Sequence, residues 1–245
     1  MPWNISATSV AGTSHQAHNT PCQDDYAYTT GPNGLIIIAV ADGAGSAPHS
    51  AAGATTAVTS AVAYLAGALH TSRPRPKLIA RALRETVDHC RATIAQLADR
   101  HGHTIHDYAT TLLATVVTEH HIGTLQLGDG AIITSDDHRR LTIHTVQQTR
   151  EYVNDVTFLT SDNYEDELRI SIRPRRHATN VALVTDGIES ISVQRSTNKP
   201  HHGFFVPLFG LHPTPGVLRE FVSSRVVCER TDDDKTIIIA TGGPS

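Results

Sequence analysis

Leu35-Ile36-Ile37-Ile38-Ala39-Val40-Ala41-Asp42-Gly43-Ala44-Gly45-Ser46 is the stretch on which the fold turns. An unbroken apolar run of this length describes a strand buried on both faces. It stops at Asp42, where Gly43, Ala44 and Gly45 let the backbone turn and approach a ligand closely. Leu127-Gly128-Asp129-Gly130 and Val184-Thr185-Asp186-Gly187 repeat the same form, an aspartate and a glycine after an apolar run. Further carboxylates mark loop and strand boundaries in Cys22-Gln23-Asp24-Asp25 and Asp232-Asp233-Asp234-Lys235-Thr236. A lone Asp-Gly pair is ordinarily a turn. Recurring at strand ends over the whole chain, such carboxylates meet only if the strands lie side by side. They then repel one another unless cations sit among them, and hard divalent ions such as Mg²⁺ or Mn²⁺ supply that charge through oxygen ligands.

Outward from this stretch, alternation predicts strands over residues 3–10 and 25–29, separated by a polar loop carrying His15, His18, Asn19 and Pro21. After Asp42, Ala-rich sequence over 48–69 has helix-forming composition. A break at Arg73-Pro74-Arg75-Pro76 separates it from a second helix, 77 to about 100, and the two make an antiparallel pair. Strands follow over 110–119, 122–127, 131–134 and 141–146, and their tight links predict an antiparallel meander. Residues 147–176 mix charge with short apolar pieces and are expected to be a surface excursion. Another buried strand is expected over 178–185, a helix start over 188–193, a helix over 214–227 and a closing strand over 236–241. This order is α+β, with helices covering antiparallel sheets. No linker divides the chain, so residues 1–245 are expected to form a single domain.

Composition narrows the function classes. A hydrophobic share of 39% with 18% charged residues is that of an ordinary globular protein. The formal net charge of -4 gives no basic stripe for a phosphate backbone, so nucleic acid is not an expected partner. The apolar run at 35–41 is far short of a membrane span, and the start of the chain does not read as a signal peptide. Three widely spaced cysteines form no CxxC pair, which fits a reducing, cytoplasmic setting. His101, His103 and His106 suggest zinc by type, but without nearby cysteines a solvated loop is the better reading. The acidic run Asp162, Glu165, Asp166, Glu167 reads as a solvated face.

If Asp24, Asp42, Asp186 and Asp233 meet, two divalent ions would balance their charge and orient a water for in-line attack on a phosphate ester. Phosphomonoester hydrolysis is very slow in water, so positioning that water and neutralising phosphoryl oxygens are what a catalyst most needs. The Asp-x-Asp signature of a phospho-aspartate mechanism, a Gly-x-Ser-x-Gly elbow and a Walker-type loop are all missing.

With those motifs in view, the chain resembles the metal-dependent protein serine/threonine phosphatases of the PP2C family, in its compact bacterial branch. The resemblance rests on Gln23-Asp24-Asp25, on Val40 to Ser46 as quoted above, and on Thr110-Thr111-Leu112-Leu113 leading to Gly128-Asp129-Gly130. Val184-Thr185-Asp186-Gly187 and Asp233-Asp234-Lys235-Thr236 complete it. It implies a four-layer α-β-β-α sandwich of two antiparallel sheets flanked by helix pairs. It also implies that Asp42 bridges two metals, that Gly43 offers its carbonyl to one, and that Asp186 and Asp233 complete the other. Asp24 would hold metal-bound water, and Asp129 would contact a third, weaker ion. The implied partner is a phosphorylated protein, with a serine/threonine kinase or its targets nearby in function, and the implied state is monomeric.

The chain departs from the family pattern at particular places. Gln23 replaces the usual Glu of the opening motif, and Gly12-Thr13-Ser14-His15 stands where a phosphate-binding Arg is common. His15 is therefore a candidate either to bind phosphate as a cation or to protonate the leaving oxygen. Four residues after Asp186, where another Asp is common, this chain has Ser190 with Glu189 beside it. Arg173, Arg175 and Arg176 fall where the family carries its variable flap and are candidates to meet a phosphoprotein. Asp25, Asp232 and Asp234 are expected to be neighbours without a direct role. A non-catalytic regulator of the same fold that binds a kinase or phosphoprotein, and a phosphatase for small molecules, are the alternative readings.

Overall fold

The computed structural model describes residues 3–70, 73–146, 156–175, 178–194 and 196–242. In chain order the first half comprises β1 (Asn4–Val10), α1 (Thr13–Ala17), β2 (Asp25–Thr30), β3 (Ile36–Ala41), α2 (Ser50–Ala68), α3 (Pro76–His101), β4 (Leu112–Val117) and β5 (His121–Leu127). The second half comprises β6 (Ala131–Asp136), β7 (Leu141–Ile143), α4 (Tyr164–Glu167), β8 (Arg169–Pro174), β9 (Ala178–Val184), α5 (Asp186–Ser192), β10 (Val193–Gln194), β11 (Lys199–Pro200), α6 (His202–Leu211), α7 (Pro215–Val222), α8 (Arg225–Cys228) and β12 (Lys235–Thr241).

The unbroken apolar run of β3 is explained by what lies on each side of it. Ile36, Ile38 and Val40 pack between two sheets, whereas Ile37, Ala39 and Ala41 pack against helices. Strand β12 divides in the same way: Ile238 and Ala240 lie between the sheets, and Ile237 and Ile239 face helices on the other side. One sheet has the order β1-β12-β9-β6-β7 and the other β2-β3-β4-β5-β8, each five-stranded and antiparallel. Helices α2 and α3 cover the second sheet. Helices α5, α6 and α7 cover the first, with Phe204 of α6 edge-on to Phe221 of α7 at 5.6 Å. The expected four layers are present. Helix α2 is long and apolar enough by composition to cross a membrane, yet its Ala54, Ala57, Val58, Ala61 and Leu65 are buried in the core against the β2-β3-β4-β5-β8 sheet.

The expected meander is only half right. β4 pairs with β5 and β6 with β7, but β5 and β6 belong to different sheets. The short link Gly128-Asp129-Gly130 crosses from one sheet to the other, with φ of 97° at Gly128 and 99° at Gly130. A Cβ on Gly130 would fall 2.5 Å from Val184 O, so only glycine allows the crossing so close to β9. Tight spacing suggested a hairpin because sequence distance does not distinguish pairing within a sheet from a step between sheets.

Other expectations shift as well. The polar loop around His15 contains the short helix α1. The helix expected over 214–227 breaks into α7 and α8 at Ser223 and Ser224, short polar residues of weak helix propensity. Helix α6 was not foreseen: it is apolar on most sides and carries Pro207, so no amphipathic period announces it. Within the expected surface excursion, the described part contains α4 and the edge strand β8, and Leu159 is fully buried. Residues 147–155 and Arg176 lie outside the described residues.

Candidate metal centre

Strand β3 ends in Asp42, which is clamped by the residues that precede β4. The Asp42 amide donates to Thr111 Oγ1 at 2.9 Å, while the Thr111 amide and Thr110 Oγ1 both donate to Asp42 O, at 2.8 and 2.9 Å. Asp186 opens α5, and Asp129 projects from the sheet-crossing turn. Carboxylate oxygens of Asp42, Asp129 and Asp186 lie within 4.8 Å of one another, although these residues stand far apart in sequence. Among the described residues this is the group of His, Cys, Asp or Glu side chains suited to a metal ion.

Asp24 stands behind them, 6% exposed. Its Oδ2 accepts from Thr185 Oγ1 at 2.7 Å, and Thr185 Oγ1 in turn accepts from the Thr236 amide at 3.0 Å. Its Oδ1 is buried without a hydrogen-bond partner. Asp233 is exposed at the rim, within electrostatic reach of Asp42 and Asp186. It is thus near the cluster but not within its tight group. The Asp233 carbonyl accepts from Lys235 Nζ at 2.9 Å, and Lys235 is fully buried.

Gly43 supplies close approach rather than a side chain. A Cβ there would lie 2.7 Å from Gln23 O and 2.8 Å from Ser50 O, and the Gly43 amide donates to Gln23 O at 3.1 Å. Its bridge to Thr110 runs through the Ala44 amide and the Asp42 carbonyl, so the Gly43 carbonyl is not consumed by that pairing.

Crowding leaves an electrostatic signature. Burial pushes the Asp24 carboxyl up to about 7; the Thr185 hydrogen bond opposes the shift and the charge of Asp234 adds to it. Asp186 is pushed up to about 8 by burial, then by Asp129, Asp233 and Asp24. Asp42 is raised well above the carboxylate range by burial, then by Asp24, Asp186, Asp129 and Asp233. Each cause is relieved by a cation placed among the oxygens. An orphaned buried carboxylate oxygen on Asp24 and a donor set made only of oxygens fit Mg²⁺ or Mn²⁺.

Asp234 corrects an expectation. Foreseen as a bystander, it is 2% exposed and holds the loop before β2 in place. Its Oδ1 accepts from the Gly12 amide at 2.6 Å and lies 2.9 Å from His15 Nδ1, while its Oδ2 accepts from the Gln23 amide at 2.6 Å. A carboxylate only accepts, so His15 carries a proton on Nδ1 and turns Nε2 outward from this pair. His15 is close enough to Asp233 to act on it electrostatically. Thr185 and Asp234 were missed as positioning groups because their partners are remote in sequence; their presence inside the quoted motifs was the available signal.

Glu189 is buried, and its Oε2 accepts from the Gly130 amide at 3.1 Å, so it supports the turn carrying Asp129. Ser190 bonds back to Gly187 O. Asp25 accepts from Thr55 Oγ1 at 2.6 Å, tying β2 to α2 as a neighbour of the site. His101 and His106 are exposed, as expected of a solvated segment, whereas half-buried His103 stacks on His49 with centroids 4.1 Å apart and lies 3.0 Å from the Tyr108 hydroxyl. Arg173 and Arg175 are corrected too: β5 runs from their level at His121 to the metal-side turn, so both lie at the opposite end of the sandwich. Arg175 is also 5% exposed, which removes it from an open substrate face.

A carboxylate cluster at the mouth of a two-sheet sandwich defines the class of protein, and comparison with known chains agrees. Residues 11–222 match the family model described as Protein phosphatase 2C. Serine/threonine-protein phosphatase 3 of Escherichia coli (strain K12) is 31% identical over 258 residues, covering 98% of each chain. The structure of the S. agalactiae serine/threonine phosphatase superposes with a TM-score of 0.71 at 14% identity, over 98% of this chain and 99% of that one. The catalytic domain of PstP, solved in complex with 2 manganese ions, gives 0.65 at 18% identity, over 99% of both chains. The chain belongs to the protein phosphatase 2C family and is a serine/threonine phosphatase of that family.

Proposed function

We propose that this chain hydrolyses phosphoserine and phosphothreonine in proteins at a centre of two Mg²⁺ or Mn²⁺ ions. Asp42, the Gly43 carbonyl, Asp186 and Asp233 would hold them, and Asp129 would contact a third. The observation that carries this reading is the convergence of Asp42, Asp129 and Asp186 within 4.8 Å, with Asp24 buried behind them, in a chain of this family. When bound, the ions supply charge for the phosphoryl oxygens and lower the pKa of the attacking water.

The remaining work belongs to the chain. The threonine clamp on the Asp42 backbone and the start of α5 at Asp186 set two carboxylates from opposite sheets in a fixed relation. Asp24, held by Thr185 through Oδ2, keeps Oδ1 to accept a hydrogen bond from water. His15, held at Nδ1 by Asp234, offers Nε2 to the phosphate or the leaving oxygen.

Turnover of p-nitrophenyl phosphate and of a phosphothreonine peptide, measured with Mn²⁺, with Mg²⁺ and with chelator, tests the proposal. Metal-dependent turnover that favours the peptide over metabolite phosphates is expected. Absence of metal-dependent turnover on every substrate overturns it, and Mn²⁺ binding by calorimetry without turnover selects the non-catalytic regulator instead. Faster turnover of metabolite phosphates selects the small-molecule phosphatase.

A further inference from the structure

A groove of about 820 Å³ opens between the edge strands β7 and β8. Its walls include Ile122 at the start of β5, and Arg140, Leu141, His144, Arg173 and Arg175. Strand β5 leads away from it toward the Asp129 turn, which by a rise of about 3.3 Å per residue places the groove roughly 20 Å from the carboxylate cluster. It is a separate site.

Its chemistry is opposite to that of the cluster. Arg175 is 5% exposed; its Nε donates to Ala178 O at 2.9 Å and its Nη1 to Thr118 O at 3.4 Å, while Nη2 is buried without a partner. The Trp3 ring faces the guanidinium at 5.1 Å but accepts no conventional hydrogen bond. Asp137 acts on Arg175 only at a distance, and among the described residues neither Arg173 nor Arg175 forms an ion pair. Arg140 differs, since Asp136 neutralises it at 2.9 Å. His144 is pushed down to about 4 by burial and then by Arg173, so it is neutral at pH 7, with Nε2 2.8 Å from Thr134 Oγ1. A buried guanidinium without a counter-charge is costly and is ordinarily matched by an anion.

We propose that this groove binds a phosphate-bearing small molecule, its anion between Arg173 and Arg175 and its organic body against Ile122 and Leu141. The volume suits such a ligand, since pockets for drug-sized molecules run to about 300–1,000 Å³ and a free phosphate would fill only a small part. The net charge of -4 argues against a merely general attraction of anions to this chain.

Calorimetry on the full chain in chelator isolates the groove, because the metal-free carboxylates repel phosphate. The probes are adenosine monophosphate, inorganic phosphate and adenosine. Adenosine monophosphate is expected to bind more tightly than phosphate, and adenosine not to bind. Arg173→Ala, at an exposed position, should weaken binding about tenfold, a change of about 1.4 kcal/mol, while Mn²⁺-dependent turnover of p-nitrophenyl phosphate stays unchanged. Arg175→Lys should weaken binding similarly; if that variant does not fold, Arg173→Ala carries the test. The proposal is overturned if neither anion binds up to about 10 mM, a limit corresponding to about 2.7 kcal/mol. It is equally overturned if Arg173→Ala leaves the affinity unchanged, or if phosphate binds as tightly as the nucleotide.

Discussion

Asp234 gathers the Gly12 amide, the Gln23 amide and His15 Nδ1 onto one buried carboxylate. Asp234→Ala leaves those donors without an acceptor, and stranded buried donors cost about 1–3 kcal/mol each where water cannot reach them. Urea unfolding is expected to show a loss of about 2–4 kcal/mol, larger than any exposed substitution on α1 would give. His15 carries a separate prediction, because p-nitrophenolate leaves without a proton and a threonine alkoxide does not. His15→Gln should slow the phosphothreonine peptide about 10²-fold, in the range of lost general-acid catalysis, and leave p-nitrophenyl phosphate nearly unaffected. Equal losses on both substrates would assign His15 to phosphate binding instead. Asp42→Asn removes charge from the tightest part of the cluster; a loss of at least about 10²-fold in turnover is expected, with Mn²⁺ binding by calorimetry falling in parallel.

At the scale of elements, the site depends on how closely turns can pass one another. A Cβ on Gly187 would stand 2.0 Å from Asp234 O, so the first turn of α5 is seated directly on the strand that follows Asp233. Gly187→Ala must push α5 away, and overpacking of this kind costs about 1–3 kcal/mol. Thermal unfolding should show that loss, and the folded fraction should bind Mn²⁺ more weakly because Asp186 moves with the helix. Gly130→Ala should behave alike for a different reason: its φ of 99° suits glycine, and the added methyl meets Val184 O. The sheet-crossing turn, more than either strand beside it, places Asp129.

For the whole molecule, the raised carboxyls make stability depend on pH and metal together. The folded values of about 7 for Asp24 and about 8 for Asp186 lie above the ordinary 3.8, so in this window the folded chain holds more protons than the unfolded one. Their contribution is therefore present at low pH and lost as pH rises through those values. His144, lowered to about 4, works in the other direction below about 6.5. The window from about pH 6.5 to 8.5 thus isolates the carboxylates. In chelator, the denaturation midpoint should fall across it, Asp186→Asn should flatten the fall, and saturating Mn²⁺ should reverse it. A flat parent profile in chelator would show that the cluster is not electrostatically strained.

By itself the sequence determined the layers and the identity of the cluster residues. Continuous apolar runs such as residues 35–41 demand cover on both faces, and aspartates at their ends must then share one edge of the sandwich, because local patterning is a property of neighbouring residues. Tertiary structure alone decided that the Gly128–Gly130 link changes sheets, that α6 covers the sheet built around β12, and that Arg175 is buried at the far end. It also decided that Asp234 and Thr185 hold the cluster's surroundings while Asp233 stands at the rim. Those outcomes rest on contacts between residues remote in the chain, where hydrogen-bond satisfaction and the room left beside a glycine are settled only once the sheets have packed.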